Sequence, residues 1–442
     1  MIPQEVKDVL LALERAGHEA YMVGGCVRDI LMGKTPHDWD VTTSALPEET
    51  MALFDHFAIP TGLQHGTVTV RSGACSCEVT TFRADGIYPD HRHPAAVTFT
   101  HSLQEDLARR DLTVNAMAMD VRGTLHDPFN GQRDIQRCLL RCVGEPERRF
   151  QEDALRILRT LRFSATLGFT VEERTHHALR LQRGDLRYIA AERIREELTK
   201  LLCGTDALRV LLEEPQVLGV VLPEILPCVG FDQHNRHHCY DVWGHTAHAV
   251  AAVPPDPVLR WTMLLHDLGK PQCFTLDEQG VGHFHGHHGP SAEMAEDICC
   301  RLRFDSAAAR QICTLVRCHD RPIPLTEKAI RRAMNQLGTE TLRQLCQVKR
   351  ADNLAQHPDY RGRQREIDRG EAIMDALLAR EDCFTLRQLA VNGNDMIALG
   401  LCGKAVGQML QTLLDAVIDG DAANDRGTLL ALARRIGKTQ KI

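Results

Sequence analysis

The sequence contains few aromatic residues and no long apolar run. Phe, Trp and Tyr make up 5% of the 442 residues. No segment approaches the roughly 20 consecutive apolar residues of a membrane helix, so a membrane partner is not expected. The amino-terminal residues combine acidic side chains with an amphipathic helical pattern, unlike a signal peptide. We therefore expect a cytoplasmic protein.

Cysteine spacing that would indicate a zinc site or a disulfide framework is also absent. The 16 cysteines are scattered along the chain. Neither Cys75 and Cys77 nor the adjacent Cys299 and Cys300 have C-x-x-C spacing. We expect free thiols in a reducing compartment. Internal repeats and low-complexity segments are missing as well.

The chain has no overall excess of basic residues. Its formal net charge is −7 and its sequence pI is about 6.3, so bulk charge does not predict nucleic-acid binding. Arginines are nevertheless concentrated between residues 133 and 162, where they either form a basic patch or lie on solvated helix faces beside acids. They are Arg133, Arg137, Arg141, Arg148, Arg149, Arg156, Arg159 and Arg162.

What the sequence does contain is a change of pattern near residue 148. Residues 1–16 have the spacing of an amphipathic helix, and a hairpin turn is predicted at Ser72-Gly73. Beyond residue 148 helical spacing dominates. We predict an α+β chain of two to four domains, with a small mixed-sheet head and an elongated all-α body. The predicted strands are 20–23, 39–43, 66–71 and 77–82.

Residues 21–43, YMVGGCVRDILMGKTPHDWDVTT, join a Gly-Gly turn to two carboxylates. On a strand, Asp38 and Asp40 would share one face. Two such carboxylates hold the divalent ions of two-metal phosphoryl or nucleotidyl transfer. Gly24 and Gly25 permit close approach of backbone to a triphosphate. Taken singly, the acids also fit a solvated turn and the glycines a tight turn.

Later segments are dense in polar groups. RRDLTVNA, residues 109–116, suits contacts to phosphate and sugar, whereas Asp111 alone fits a helix N-cap. In EDALRILR, residues 152–159, a helix would place Asp153 and Arg156 on one face. The two would form a surface ion pair or an acceptor–donor edge for a nucleobase. ERIREEL, residues 192–198, is interpreted as a charged helix end that braces this helix.

These segments, in this order, resemble the class II tRNA nucleotidyltransferases, the CCA-adding enzymes of the polymerase-β-like superfamily. GGCVRD with HDWDVTT is similar to the catalytic motif, RRDLTVNAMAMD to the ribose motif, DPFNGQRDI to the head–neck hinge, EDALRILRTLRF to the template that selects CTP and then ATP, and ERIREEL to the helix-stabilising motif. The resemblance implies a nucleotidyltransferase head (1–140), a helical neck that binds base and tRNA (141–230), an HD-type metal-binding domain (231–360) and a tRNA-binding helical tail (361–442).

The resemblance also implies roles for individual residues. Asp38 and Asp40 would hold the metal ions, and Glu78 is either a third active-site carboxylate or a strand-surface acid. Residues 83–94 match the loop used in switching from C to A. Nucleotide contacts are implied for Gly24, Gly25 and Arg28 (triphosphate), for Arg110, Asp111 and Asn115 (sugar and phosphates), and for Asp153 and Arg156 with Arg159 nearby (base).

Histidines and acids between about 231 and 360 resemble an HD-type metal-dependent phosphohydrolase domain. Imidazole and carboxylate ligands suit a divalent transition metal that generates hydroxide. His288 and His319 would bind phosphate or a second metal. Such a domain is also able to keep its ligands and serve as a scaffold. The implied metal ligands are His245, His266, Asp267 and Asp352.

The activity implied is template-independent addition of CCA to tRNA 3′ ends from CTP and ATP. The tRNA 3′-hydroxyl would attack the α-phosphate at a Mg²⁺ site, and pyrophosphate would leave. Two alternatives stay open. One is a poly(A) polymerase or a partial enzyme that adds only CC or only A. The other is an HD phosphohydrolase with an inactive head. The protein would act as a monomer or homodimer.

Overall fold

A computed structural model describes residues 2–73, 75–85 and 97–439. The chain divides into two compact units, Met1–Leu226 with Arg301–Arg303, and Pro227–Cys300 with Phe304–Ile442. Among the described residues, every helix is too short or too polar to span a membrane. The four domain boundaries stated above stay predictions.

A seven-stranded mixed sheet forms the centre of the first unit. Its order is β3-β4-β5-β2-β1-β8-β9. In this sheet, strands β2 and β5 are parallel, and all other neighbouring strands are antiparallel. Two-stranded ladders β6–β7 and β10–β11 lie outside it. The strands are β1 Ala20–Val23, β2 Trp39–Thr43, β3 Ala58–Gly62, β4 Thr67–Ser72, β5 Cys75–Thr81, β6 Arg83–Asp85, β7 Val97–Phe99, β8 Ala118–Met119, β9 Leu125–His126, β10 Leu139–Leu140 and β11 Thr170–Val171.

The strands that the sequence predicted are present. The first two have the predicted bounds, because their β-branched and apolar runs are short and clearly delimited. β4 and β5 are displaced from prediction by one or two residues. They pair from Thr67 with Thr80 to Ser72 with Cys75, and Gly73 at the turn has a φ of 57°. The predicted hairpin is therefore confirmed.

The helices of the first unit pack on this sheet or follow it in the chain. The amphipathic helix predicted at the amino terminus is confirmed, with Val6, Val9, Leu10 and Leu13 buried in the core beneath the sheet. The helices are α1 Gln4–Arg15, α2 Gly25–Leu31, α3 Pro47–Phe54, α4 Leu103–Ala108, α5 Gly131–Gln136, α6 Pro146–Glu152, α7 Leu155–Leu167, α8 Glu173–Leu181, α9 Ala191–Leu202, α10 Ala207–Glu213 and α11 Pro215–Leu218.

The helix predicted across residues 152–159 is broken. Asp153 has an extended conformation, with a φ of −143°, between α6 and α7. Its Oδ1 accepts a hydrogen bond of 3.0 Å from the Leu155 N–H, so the carboxylate binds a backbone donor at the start of α7. The expectation that Asp153 and Arg156 lie on one face of a single helix was wrong.

α9 braces α7 through ion pairs, as the sequence predicted. Arg193 Nη2 lies 3.0 Å from Asp153 Oδ2. Further along the two helices, Arg162 Nε lies 2.8 Å from Glu197 Oε2. Because both acids are mostly buried, these pairs fix the start of α7 relative to α9.

The second unit is helical apart from one short ladder, β12 Thr275–Leu276 with β13 Gly282–His283. The mixed-sheet head followed by a helical chain is thus confirmed. Residues 253–256 connect the first two helices of this unit. The helices are α12 Val242–Ala252, α13 Pro257–Leu265, α14 His288–Arg301, α15 Ser306–Cys318, α16 Glu327–Leu337, α17 Thr339–Leu354, α18 Gln364–Ala379, α19 Gly393–Ala398, α20 Lys404–Asp419 and α21 Arg426–Thr439.

Short 3-10 helices complete the secondary structure of the described residues. They are Asp55–Phe57, Leu63–His65, Thr113–Asn115, Arg183–Tyr188, Pro223–Cys228, Lys270–Cys273, Pro358–Arg363 and Leu386–Gln388.

Candidate active sites

Three carboxylates gather where β2 and β5 run side by side. Asp40 is the register partner of Glu78 on the neighbouring strand. Asp38 lies one residue before β2, and the intervening Trp39 is buried. Burial raises the pKa of Asp40, Arg110 lowers it, and Glu78 and Asp38 raise it further. A concentration of negative charge of this kind is what a divalent cation neutralises.

Gly24 brings backbone against this carboxylate cluster. Its φ is 77°, a left-handed value that favours glycine. A Cβ at this position would lie 3.1 Å from Arg110 Nη1 and 3.7 Å from Asp40 Oδ2. Any side chain at position 24 would therefore occupy the space between the backbone, the Arg110 guanidinium and the Asp40 carboxylate.

Gly24→Ala is expected to lower kcat/KM for nucleotide addition by about 10- to 100-fold. The added methyl would push the Arg110 guanidinium away by a few tenths of an ångström, and the positive φ adds backbone strain. A misplacement of about 1 Å costs about 100-fold, which sets the upper end of this range. The control is Gly17→Ala, since Gly17 has a φ of 92° with no atom within 4 Å of the new Cβ. It imposes similar backbone strain away from the site. Equal losses of activity in the two variants would contradict a specific role for Gly24.

Arg28 and Asn115 are joined directly. Arg28 Nη1 donates to Asn115 Oδ1 at 2.8 Å, and both side chains are buried. The Arg28 guanidinium also lies 5.2 Å from the centre of the Phe163 ring on α7. The contacts hold two of the predicted nucleotide-binding residues in one rigid cluster.

Asp111 is not the helix cap that its local sequence suggested. Its Oδ2 accepts from Arg159 Nε at 2.8 Å, and Oδ1 accepts from Asn115 Nδ2 at 3.4 Å. Burial would raise the pKa of Asp111, but Arg159 and Arg156 outweigh it and hold the pKa well below its usual range. Asp111 thus stays ionised and links α7 to the segment that carries Asn115.

Asp111→Asn is expected to lower the free energy of unfolding by about 2–3 kcal/mol. Removing one partner of a fully buried ion pair would cost more stability, but the Arg159 side chain is 34% exposed. Because the folded-state pKa is depressed, the stabilisation is complete above about pH 5 and is lost as pH falls below the ordinary value near 4. Urea unfolding of the two proteins at pH 7 and pH 3.5 measures this. A difference that does not shrink at pH 3.5 would rule out the ion pair as its source.

The residues implied in base selection have protein partners here. Asp153 is bound by Arg193, as described above. Arg156 is buried, and its guanidinium donates to Glu152 Oε2 at 3.0 Å and to the Arg109 carbonyl oxygen at 2.9 Å. The structure therefore places Arg156 against the head segment 109–115, and no side-chain bond joins it to Asp153 among the described residues. Their role in selection stays a prediction. Of the loop predicted at 83–94, residues 86–94 lie outside the described residues.

The second unit brings together the four residues implied as metal ligands, three of them buried and Asp352 partly exposed. His245 Nε2 lies 3.0 Å from Asp352 Oδ1 and 3.3 Å from Asp267 Oδ2. His266 Nε2 and Asp267 Oδ2 are 3.1 Å apart and are not aligned for a hydrogen bond with any described group. Their potential ligand atoms all lie within 4.8 Å of one another. His266 Nε2, which is buried and has no hydrogen-bond partner among the described residues, fits a bound cation.

A second group of possible ligands shares Asp267. Its Oδ1 lies 3.2 Å from His287 Nε2 and 3.7 Å from His319 Nε2. The two imidazole Nε2 atoms are themselves 3.0 Å apart. The structure places His319 in this group, with His287 and not His288 beside it. The role predicted for His319, binding phosphate or a second metal, stays a prediction. Lys270 Nζ, which the sequence reasoning missed, lies 2.7 Å from Asp267 Oδ2.

Backbone carbonyls orient these histidines. An Nδ1–H that donates to a carbonyl leaves the Nε2 lone pair for a metal ion. Burial lowers the pKa of His319 to about 3, which keeps this imidazole neutral. The Nδ1 contacts are His245 with Ala355 O at 3.3 Å, His266 with Met263 O at 2.7 Å, His287 with Phe284 O at 2.8 Å, and His319 with Val316 O at 2.7 Å.

Three family models match the chain in sequence order. The model for the poly A polymerase head domain matches residues 20–141. The model described as the probable RNA and SrmB-binding site of polymerase A matches residues 168–228. The HD domain model matches residues 236–356. The first of these contains the carboxylate cluster, and the third contains the histidine cluster.

Named relatives agree with this order of domains. A CCA-adding enzyme of Leuconostoc mesenteroides is 35% identical over 440 residues, which cover 98% of this chain and 97% of that one. One from Oceanobacillus iheyensis is 49% identical over 223 residues, covering 50% of this chain and 55% of the relative. The structure of the Bacillus stearothermophilus CCA-adding enzyme in complex with CTP superimposes with a TM-score of 0.74 at 30% identity, covering 100% of this chain and 99% of that one. The chain therefore belongs to the family of CCA-adding enzymes, the tRNA nucleotidyltransferases that its sequence motifs resemble.

Proposed function

We propose that the carboxylate cluster of the first unit carries out the nucleotidyl transfer of this CCA-adding enzyme, in the cytoplasm, on tRNA with CTP and ATP. The observation that supports this most directly is the position of Asp40 between Asp38, Glu78 and Arg110. Acids that gather at one point while a guanidinium lies close by can bind a cation and a phosphate together.

Mg²⁺ fits the donor set, because hard oxygen ligands suit it, and Asp38 and Asp40 would hold it. When bound, it supplies charge stabilisation for the attacking and leaving oxygens. Arg110, which lies against Gly24, places positive charge where phosphate oxygens would approach the backbone. Arg28 and Asn115, fixed by their mutual hydrogen bond, bind the triphosphate and sugar.

We assign base selection to Asp153 and Arg156, a carboxylate acceptor and a guanidinium donor. In this structure their partners are Arg193, Glu152 and the Arg109 carbonyl oxygen. The test is to incubate the protein with tRNA lacking its 3′ end and all four NTPs, and to sequence the products. Tails that end after CCA support the proposal. Tails of CC alone, of a single A, or of many A residues would identify the partial enzymes or the poly(A) polymerase instead.

We also propose that the histidine cluster of the second unit is a phosphohydrolase centre with a divalent transition metal. Four imidazoles and two carboxylates form a donor set suited to such ions. His245, His266, Asp267 and Asp352 would hold one ion, and Asp267, His287 and His319 would hold another. Release of phosphate from phosphate esters in the presence of Mn²⁺, and its absence after chelation, tests this assignment separately from nucleotide addition.

A further inference from the structure

A cavity of about 210 Å³ opens beside the histidine cluster. Its walls come from α16, α17, α18 and the segment after α15. His319, Asp320, Asp352 and Arg363 line both this cavity and a neighbouring cleft of about 230 Å³ that contains Asp267 and His287. The cavity therefore adjoins the proposed metal centre, with these four residues between the two spaces.

Apolar side chains form most of its wall. Ile330, Leu342 and Met374 are buried there. Burial raises the pKa of the lining Cys346 to about 11, so this side chain is a neutral thiol. A dry cavity of about 150 Å³ already accepts a benzene ring. The cavity described here has room for a ring system of one or two rings.

The end that faces the metal centre carries two cations, Lys349 and Arg363, beside the carboxylates of Asp320 and Asp352. Lys349 Nζ donates to the carbonyl oxygens of His319 and Arg321, at 2.8 and 2.7 Å. An ammonium group has three N–H donors, and the third has no partner among the described residues. Arg363 is exposed and lines the cavity and the cleft. An anion at the junction of the cavity and the cleft would lie near both Lys349 and Arg363.

One glycine leaves the cavity open. Gly370 is buried on α18, and a Cβ built on it meets only Leu325 Cδ2, at 3.4 Å. A larger residue at this position would extend into the cavity. α18 lies beyond the segment 236–356 that matches the HD domain model. This side of the cavity thus lies outside the matched segment, whereas α16 and α17 lie within it.

We propose that the histidine centre acts on phosphate monoesters whose organic group is an apolar ring, with the ring in this cavity and the phosphate at the metal centre. The inference rests on the proposed phosphohydrolase function. In the reaction, a water oxygen bonds to phosphorus and the bond between phosphorus and the ester oxygen breaks. The alcohol takes a proton from the water, and inorganic phosphate is the second product.

The experiment compares 1-naphthylmethyl phosphate with ethyl phosphate, two esters of primary alcohols, on the full-length protein with Mn²⁺. Gly370→Leu fills the cavity, and Gly370→Ala is the matched control; both replace a helical glycine with better helix formers. We expect the unsubstituted protein to prefer the naphthyl ester in kcat/KM by about tenfold or more, the size of effect that a lost apolar pocket gives. Gly370→Leu should abolish that preference and leave ethyl phosphate within about twofold, whereas Gly370→Ala should keep it.

Hydrolysis of both esters with the same preference in Gly370→Leu would overturn the ring site and leave the phosphohydrolase standing. Hydrolysis of neither ester would reject the phosphohydrolase, and the ring site is then decided by binding. Titration of the Mn²⁺-loaded protein with 1-naphthylmethyl phosphate, followed by naphthalene fluorescence, should show binding that Gly370→Leu removes. Equal binding by both proteins, or none by either, overturns the ring site.

Discussion

Replacing Asp40 with asparagine is expected to reduce nucleotide addition by on the order of a thousandfold or more. The substitution keeps the shape of the side chain and removes one of the charges that would hold Mg²⁺, and a bound divalent ion supplies several kcal/mol of charge stabilisation. Because burial and two neighbouring carboxylates already disfavour the ionised form, the fold itself should not suffer. Incorporation of labelled CTP and ATP into tRNA measures the effect.

The matched control is Asp55→Asn. Asp55 is an exposed acid of the same unit, 77% exposed, and has a φ of 44°, which asparagine tolerates. It should retain full activity, and both variants should unfold at the same temperature as the unsubstituted protein. Addition by Asp40→Asn at more than a tenth of the normal rate would place the metal site elsewhere.

Asp267→Asn is expected to weaken metal binding in the second unit by at least about a hundredfold, because it removes a charged ligand. Substitution of residues that only hydrogen-bond to a metal ligand already lowers metal affinity by about 10- to 100-fold. Asp267 is the residue common to both ligand groups. Phosphate release should fall in parallel, whereas addition of CCA should be unaffected because the carboxylate cluster is separate. Calorimetric titration with Mn²⁺ measures the binding.

Asp297→Asn serves as the comparison, because Asp297 is an exposed acid on α14 outside both ligand groups. Its Mn²⁺ titration should match that of the unsubstituted protein. Tight binding retained by Asp267→Asn would mean that the histidines and Asp352 suffice, and that the shared carboxylate is not a ligand.

Patterns confined to a few residues could be read from the sequence. The strands that carry Asp40 and Glu78 were predicted because alternation and β-branched residues are local signals. The ion pair of Asp111 was not, because its partner Arg159 lies 48 residues away. The local sequence predicted a helix cap at Asp111, but the packing of α7 against the head brings Arg159 to this carboxylate instead.

Two other differences have a similar origin. No glycine or proline marks the break in the helix at Asp153. The ion pair of Asp153 with Arg193 on α9 is a tertiary contact, which the local sequence does not show. His287 and His288 are adjacent, and which of them faces His319 depends on where α14 begins. A one-residue change in that start turns a side chain by about 100° around the helix axis. Sequence alone does not resolve a rotation of that size.

The division of Asp267 between two ligand groups has a consequence for loading with metal. One oxygen faces His245 and His266, and the other faces His287 and His319. Two cations would share the charge of Asp267, with Asp352 available only to the first group, so the first ion to bind would weaken the attraction for the second. By thermodynamic reciprocity the penalty is the same in either order. The centre would therefore fill in two unequal steps, and scarce metal would leave most molecules with one ion.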